Sequence, residues 1–314
     1  MLIHHLFPFA DRIPQSAEII WLFGNNSLET HLGLWGKYCV AIFLFISGYG
    51  YALSKRRDKG YYLDKIIKIY RTTLLIFVIY IPLDIYFNVD RVVSALDIKH
   101  ILFNILGFYS NYNGEWWFLF PYVLMVAVTP LMNALRNNAL ILFILSIIIH
   151  NLPASQYIIG AFLWWQTAYV IGFICGIYQQ KLAIYQPNKI IYKLGLFMLS
   201  LIVLIWGYNT FNIEEMLFFT PLFIYILKLT SEIMPKFIKI VFVELGRKCQ
   251  IIWLVHSFYC YHFAGNFIYS PKYSVLILLN LLVVSYVSAV VLGFIEKNLV
   301  SGYHKIINKR LSLH

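Results

Sequence analysis

The chain has 314 residues, 61% hydrophobic and only 12% charged, with a mean hydropathy of +0.72 and a formal net charge of +11. A soluble domain carries about twice that charged fraction, so a soluble class is excluded. Apolar runs near the ~20 residues that cross a bilayer recur, and the short alternating segments of a transmembrane barrel are absent. The fold class is therefore all-α, a polytopic transmembrane helix bundle.

The chain opens MLIHHLFPF, too short to span a bilayer or to serve as a typical signal peptide. It reads as the outer tail of a helix whose beginning is missing. Spans are predicted at 38–54, 66–87, 116–135, 139–150, 158–178, 194–208, 216–230, 249–268 and 274–295. With the tail they make about ten, the first one truncated. Segment 100–110 is apolar but brief and reads as an interfacial or re-entrant piece. There is no clear repeat or low-complexity segment, so residues 1–314 read as a single membrane domain.

The loops set the orientation. Cations gather at 55–71, at Arg136, at 179–193, at 231–248 and in the tail with Lys297, Lys305, Lys309 and Arg310. The alternating loops at 88–115, 151–157, 209–215 and 269–273 fall on the other side. By the positive-inside rule the basic loops and the C-terminus are cytoplasmic, which places the protein as multi-pass in an inner or plasma membrane. That rule also accounts for the net charge, so no nucleic-acid partner is implied. Membrane lipid is the expected surrounding partner. Cys39, Cys175, Cys249 and Cys260 have neither metal-ligand nor disulfide spacing and read as small core residues.

The His4-His5 pair comes first among residues that could carry chemistry. Neutral imidazole can deprotonate a hydroxyl or carry an acyl group, while a frayed terminus would simply wet both rings; both readings are open. Ser47-Gly48-Tyr49-Gly50 reads as helix packing. Lys65, Lys68 and Arg71, at i, i+3 and i+6, share roughly one helix face and could hold the phosphates of a nucleotide-like carrier. Taken alone, they fit topology and anionic-lipid contact better. Glu115 could orient a histidine or bind a sugar hydroxyl, and Trp116 and Trp117 could stack on a sugar, although an interfacial aromatic belt is the commoner use. His256 lies within an apolar span, where a histidine rarely faces lipid. His150-Asn151 and Trp164-Trp165-Gln166 approach the outer ends of other spans. No phosphate-binding Gly-rich loop, HExxH spacing or GxSxG occurs, so ATP-driven transport and metal-dependent hydrolysis lack support, and no metal ligand is assigned.

The order of these features carries a resemblance. A histidine pair ends a first helix, FLFISGY stands at 43–49, YYLDKIIKIYR at 61–71, EWWFL at 115–119 and IIWLVHSF at 251–258. Over nearly its whole length the chain resembles the integral-membrane acyltransferase-3 family, bacterial O-acyltransferases of cell-envelope glycans. The resemblance implies acyl transfer, usually of acetyl, from acyl-CoA as co-substrate, with no tightly bound cofactor, to a hydroxyl of a cell-surface or lipid-linked carbohydrate. It implies that His4 or His5 is the essential histidine, that Lys65, Lys68 and Arg71 form the CoA-phosphate grip, and that His256 is the histidine of the penultimate helix. Lys65 and Lys68 stand where the family usually has arginines, an exchange that loses fork geometry. The alternatives are a glycan or lipid transporter, which predicts inverted repeats, and a non-catalytic partner in an envelope-glycan complex.

Overall fold

The computed structural model describes residues 1–24, 27–153, 158–184 and 189–311. Parts of the predicted loops at 151–157 and 179–193, and the side chains of Lys305, Lys309 and Arg310, lie outside the described residues. In chain order the α-helices are α1 (Leu2–Leu6), α2 (Ser27–Trp35), α3 (Cys39–Leu53), α4 (Lys59–Tyr86), α5 (Asp90–Val93), α6 (Ile98–Leu106), α7 (Leu119–Ala134), α8 (Ala139–His150), α9 (Ile158–Ile177), α10 (Gln179–Ile184), α11 (Ile190–Thr210), α12 (Thr220–Ile233), α13 (Lys236–Ser257), α14 (Gly265–Tyr269) and α15 (Ser274–Leu311). Among the described residues there is no strand, only an isolated bridge between Ile20 and Tyr273.

All nine predicted spans are helical. Among the described residues, seven helical stretches are long and apolar enough to cross a membrane: Leu28–Leu53, Lys59–Tyr86, Gly114–Ala134, Ile159–Ile177, Ile190–Thr210, Glu215–Ile233 and Ser274–Gly302. The two others fall short for different reasons. The α8 helix has only 12 residues. The segment at 249–268 follows a charged first half of α13, then passes through a wider turn in which the Phe263 N–H donates to the Phe258 carbonyl at 3.3 Å. Such i→i+5 turns leave backbone groups out of the regular ladder and often sit beside functional residues. The brief 100–110 segment becomes α6. Its start is capped by the Asp97 side chain, which accepts from the His100 N–H, and its end by Gly107 in the left-handed region at φ 79°.

The chain divides into two compact units. One comprises Met1–Lys37, Lys68–Trp116 and Val241–His314; the other comprises Tyr38–Ile67 and Trp117–Ile240. In the second unit α3 crosses α9 at very close range. A Cβ on Gly48 would collide with the Tyr169 carbonyl oxygen, and one on Gly172 with the Phe45 carbonyl oxygen. Small residues four apart, Gly48 and Ala52 against Gly172 and Gly176, permit this approach, so the Ser47-Gly48 segment packs helices as expected. Arg136 Nη1 donates to the Ala52 carbonyl at 2.9 Å and Arg57 Nε to the Ser54 carbonyl at 3.1 Å, which satisfies and charge-compensates the C-terminal end of α3. On α8 and α9, Ser146, Gln166, Thr167 and His150 form a buried hydrogen-bonded network.

In the first unit, Ile76, Phe77, Tyr80, Tyr112, Trp116, Leu254, Val255 and Phe258 belong to one buried cluster. A second cluster gathers Leu6, Phe7, Cys260, Ile268, Tyr269, Ile277 and Leu281 around α1. A five-residue helix leaves most of its carbonyls without partners. Two tyrosines supply the lack: Tyr261 OH donates to the His5 carbonyl at 2.8 Å and Tyr269 OH to that of Leu6 at 2.7 Å. The segment after α1 is fastened as a strap by Ser16 to Asn266, Glu18 to Lys272, and Ile20 to the Lys272 and Ser274 backbone. Buried Glu29 ties the strap's end, accepting from the Leu22 N–H and the Ser274 hydroxyl at 2.7 Å each.

Candidate functional site

The site lies within the first unit, where α1, the 3₁₀ turn Gly114–Phe118 and the end of α13 bring His4, His5, Glu115 and His256 together. The His4 and His5 ring centroids are 4.8 Å apart, as are those of His5 and His256. His5 is 7% exposed and His256 fully buried, so neither ring is a wetted, frayed terminus.

His4 Nδ1 lies 2.8 Å from the Gly33 carbonyl oxygen. A carbonyl only accepts, so Nδ1 carries the proton and the neutral ring keeps its lone pair on Nε2. Gly33 has no side chain where Pro8 packs, and this lets the segment after α1 close against α2. His256 Nδ1 likewise faces the Trp253 carbonyl at 2.7 Å, which leaves its Nε2 without a partner. His5 differs: its Nε2 is 3.3 Å from Glu115 Oε2, and its Nδ1 has no partner. A carboxylate on one imidazole nitrogen fixes the tautomer and stabilises the imidazolium that forms when the other nitrogen takes a proton.

Glu115 also lies 3.6 Å from Arg12 Nη1, and its side chain is 13% exposed. Arg12 in turn donates to Tyr261 OH at 3.1 Å and its guanidinium lies over the Phe9 ring at 4.3 Å. Burial works against the charge on Arg12, but the Tyr261 hydroxyl and then Glu115 outweigh it and hold the guanidinium above its ordinary value. The carboxylate thus sits between a fixed cation and a histidine that can become one.

The remaining expected residues divide. Trp116 is fully buried and its indole N–H donates to the Leu254 carbonyl at 3.1 Å. It is a core residue with no face open to a sugar, which corrects the stacking expectation. Trp117 is half-buried and packs against Trp165 and Phe118, with centroids 5.8 and 5.6 Å away. Arg71 donates from Nε to Glu296 Oε1 at 2.8 Å, and the Thr72 hydroxyl donates to the same oxygen at 3.0 Å. Lys68 is exposed. Lys65 is half-buried with its ammonium 5.1 Å from the Tyr61 ring centre. His262, two turns beyond His256, pairs instead with Asp84 at 2.8 Å, both side chains fully buried.

Arg12, Tyr261 and Glu296 were not singled out from the sequence. Arg12 and Tyr261 are 249 positions apart and Arg71 and Glu296 are 225 apart, so no local pattern announces either pair. Among the described residues, no group of three or more His, Cys, Asp or Glu side chains is arranged to hold a metal ion.

A multi-pass helical protein with a histidine–carboxylate pair in its core is equipped for proton transfer and acyl chemistry. The chain belongs to the acyltransferase-3 family, since the family model described as an acyltransferase domain matches residues 1–295. It is therefore a membrane acyl-transferring enzyme. No curated protein and no solved structure shows a significant match.

Proposed function

We propose that this enzyme moves an acyl group, acetyl in the simplest case, from acyl-CoA to a hydroxyl of a cell-surface or lipid-linked polysaccharide, as a transferase of groups other than aminoacyl. The observation that supports this most is the His5–Glu115–Arg12 array, with a 3.3 Å contact between His5 Nε2 and Glu115 Oε2. His5 Nδ1 takes the proton of the acceptor hydroxyl as its oxygen attacks the thioester carbonyl. Glu115 orients the ring and stabilises the imidazolium, and the Arg12 guanidinium lies 3.6 Å from that carboxyl group. When the tetrahedral intermediate collapses, the C–S bond breaks and the thiolate recovers the proton from the imidazolium. His4, oriented by the Gly33 carbonyl, packs edge-on to His5 and positions it.

Lys65, Lys68 and Arg71 hold the charged head of CoA at the cytoplasmic surface, where the phosphates stay hydrated while the acyl arm enters the bundle. Glu296 ties Arg71 through Nε only, so its two terminal nitrogens remain available to a phosphate. Basic loops on alternating connections support an inner or plasma membrane with the C-terminus inside.

The test is transfer of labelled acetyl from acetyl-CoA to envelope glycan by membranes carrying the wild-type protein, His4→Ala or His5→Ala. His5→Ala should lower the rate by 10²-fold or more, in the range of general base loss, and His4→Ala less. Equal rates in all three would refute the assigned base.

A further inference from the structure

Asn113 lies two positions before Glu115, fully buried, and is hydrogen-bonded at one end only. Its Oδ1 accepts from the Glu115 backbone N–H at 3.0 Å and from the Ser257 hydroxyl at 2.9 Å. A backbone N–H can only donate, so the amide cannot be turned over: the oxygen faces Glu115 and Nδ2 faces elsewhere. Nδ2, with two N–H groups, is buried without a partner. Through its oxygen Asn113 joins the chain segment that carries Glu115 to the one that carries His256.

Leaving buried donors unpaired is unfavourable, and in a native core such a group calls for an explanation. Two other polar atoms of the same cluster are also orphaned, His5 Nδ1 and His256 Nε2. In neutral rings these are lone-pair acceptors. The cluster therefore lacks something that brings a proton to an imidazole and something that brings an oxygen to an amide. An alcohol satisfies the first and an acyl carbonyl the second. The neighbouring side-chain donors are engaged already: Trp116 with Leu254, Tyr261 with His5, and Arg12 with Tyr261 and Glu115.

We infer that Asn113 is a further catalytic residue, whose Nδ2 N–H groups bind the acyl carbonyl oxygen and stabilise it as an oxyanion. This rests on the acyl-transfer reading above. As the alcohol oxygen attacks, the carbonyl π pair moves onto that oxygen, where charge develops and where preorganised donors act most strongly. On collapse the pair re-forms C=O and the C–S bond breaks, so the amide is unchanged over the cycle.

The test uses the purified full-length protein in lipid nanodiscs, with labelled acetyl-CoA and envelope glycan as acceptor. Asn113→Asp is close to isosteric and keeps an acceptor oxygen toward Glu115 and Ser257, so that the donor is what changes. Asn113→Ala is the second variant, in case a buried carboxylate prevents folding. The folded variants should lose kcat by about 10²- to 10³-fold, with KM for acetyl-CoA within about threefold of wild type. A folded variant that keeps kcat within about threefold, or that raises KM alone, overturns the assignment. Failure of both variants to fold makes Asn113 part of the scaffold and overturns it too. A wild-type protein that transfers no acetyl defeats the acyl-transfer reading itself, and this inference with it. Wild-type turnover with unaffected Asn113 variants defeats this inference alone.

Discussion

At the scale of single residues, the site turns on what each imidazole nitrogen faces. Of the three clustered histidines, His5 is the one given a carboxylate; His4 and His256 have backbone carbonyls. A carbonyl orients a ring, but only a carboxylate adds a full charge to stabilise the imidazolium. Glu115→Gln should therefore leave the protein folded and lower kcat by ten- to a hundredfold, read in the acetyl-transfer assay as a fall in kcat rather than a rise in KM. The cationic face calls for the opposite signature. A hydrogen bond to a charged group contributes about 1.5–3 kcal/mol, so Arg71→Ala should raise KM for acyl-CoA by roughly tenfold or more with kcat little changed. An unchanged KM would reduce the Arg71–Glu296 pair to a purely structural link.

Among the elements, the α3–α9 crossing is the most constrained. The atoms that a Cβ at Gly48 or Gly172 would strike are backbone carbonyl oxygens, which cannot rotate away as a flexible side chain can. Overpacking of this kind typically costs about 1–3 kcal/mol, and more when backbones must separate. Gly48→Leu and Gly172→Leu should each lower the thermal midpoint and the yield of monodisperse protein in detergent. Gly50, with open space around its Cβ position, should tolerate Gly50→Ala. The strap after α1 depends on surface chemistry instead. The Lys272 hydrogen bond, then its charge, holds the exposed Glu18 carboxyl below its ordinary value. Its folded value is depressed, so the link contributes above the ordinary glutamate range and is lost as pH falls through and below it. Hydrogen exchange at the Ile20 and Ser274 amides should rise over that window in wild type, and should already be raised at neutral pH in Glu18→Gln.

For the whole molecule, the governing quantity is where the cations lie along the chain. Among the described residues seven helical stretches are long and apolar enough to cross a membrane; Arg56 and Arg57 stand just before the second, and Lys65 and Lys68 in its first turns. A Lys or Arg carried across the bilayer is unfavourable by several kcal/mol, which is the physical basis for proposing that the basic loops lie inside. Single cysteines placed at Arg56 and at Glu18, in a background with the four native cysteines replaced, should be labelled from opposite sides of the membrane by an impermeant maleimide. Labelling of both from one side would invert the assigned route to CoA.

The amino-acid sequence alone determined the class, the helical segments and the family, because hydropathy and charge are local properties that add up along a stretch of chain. It also placed His4, His5, Glu115 and His256 among the candidates, since a polar group in an apolar run is conspicuous. It left open whether the histidines were sheltered in the bundle or merely wet. It gave Trp116 no different standing from Trp117, although one is sealed in the core and the other only half covered. Those distinctions belong to the tertiary structure. His5 meets Glu115 across 110 positions and Asn113 meets Ser257 across 144. Which helix face turns toward which neighbour depends on the close packing of all of them at once, and no window of sequence contains that information.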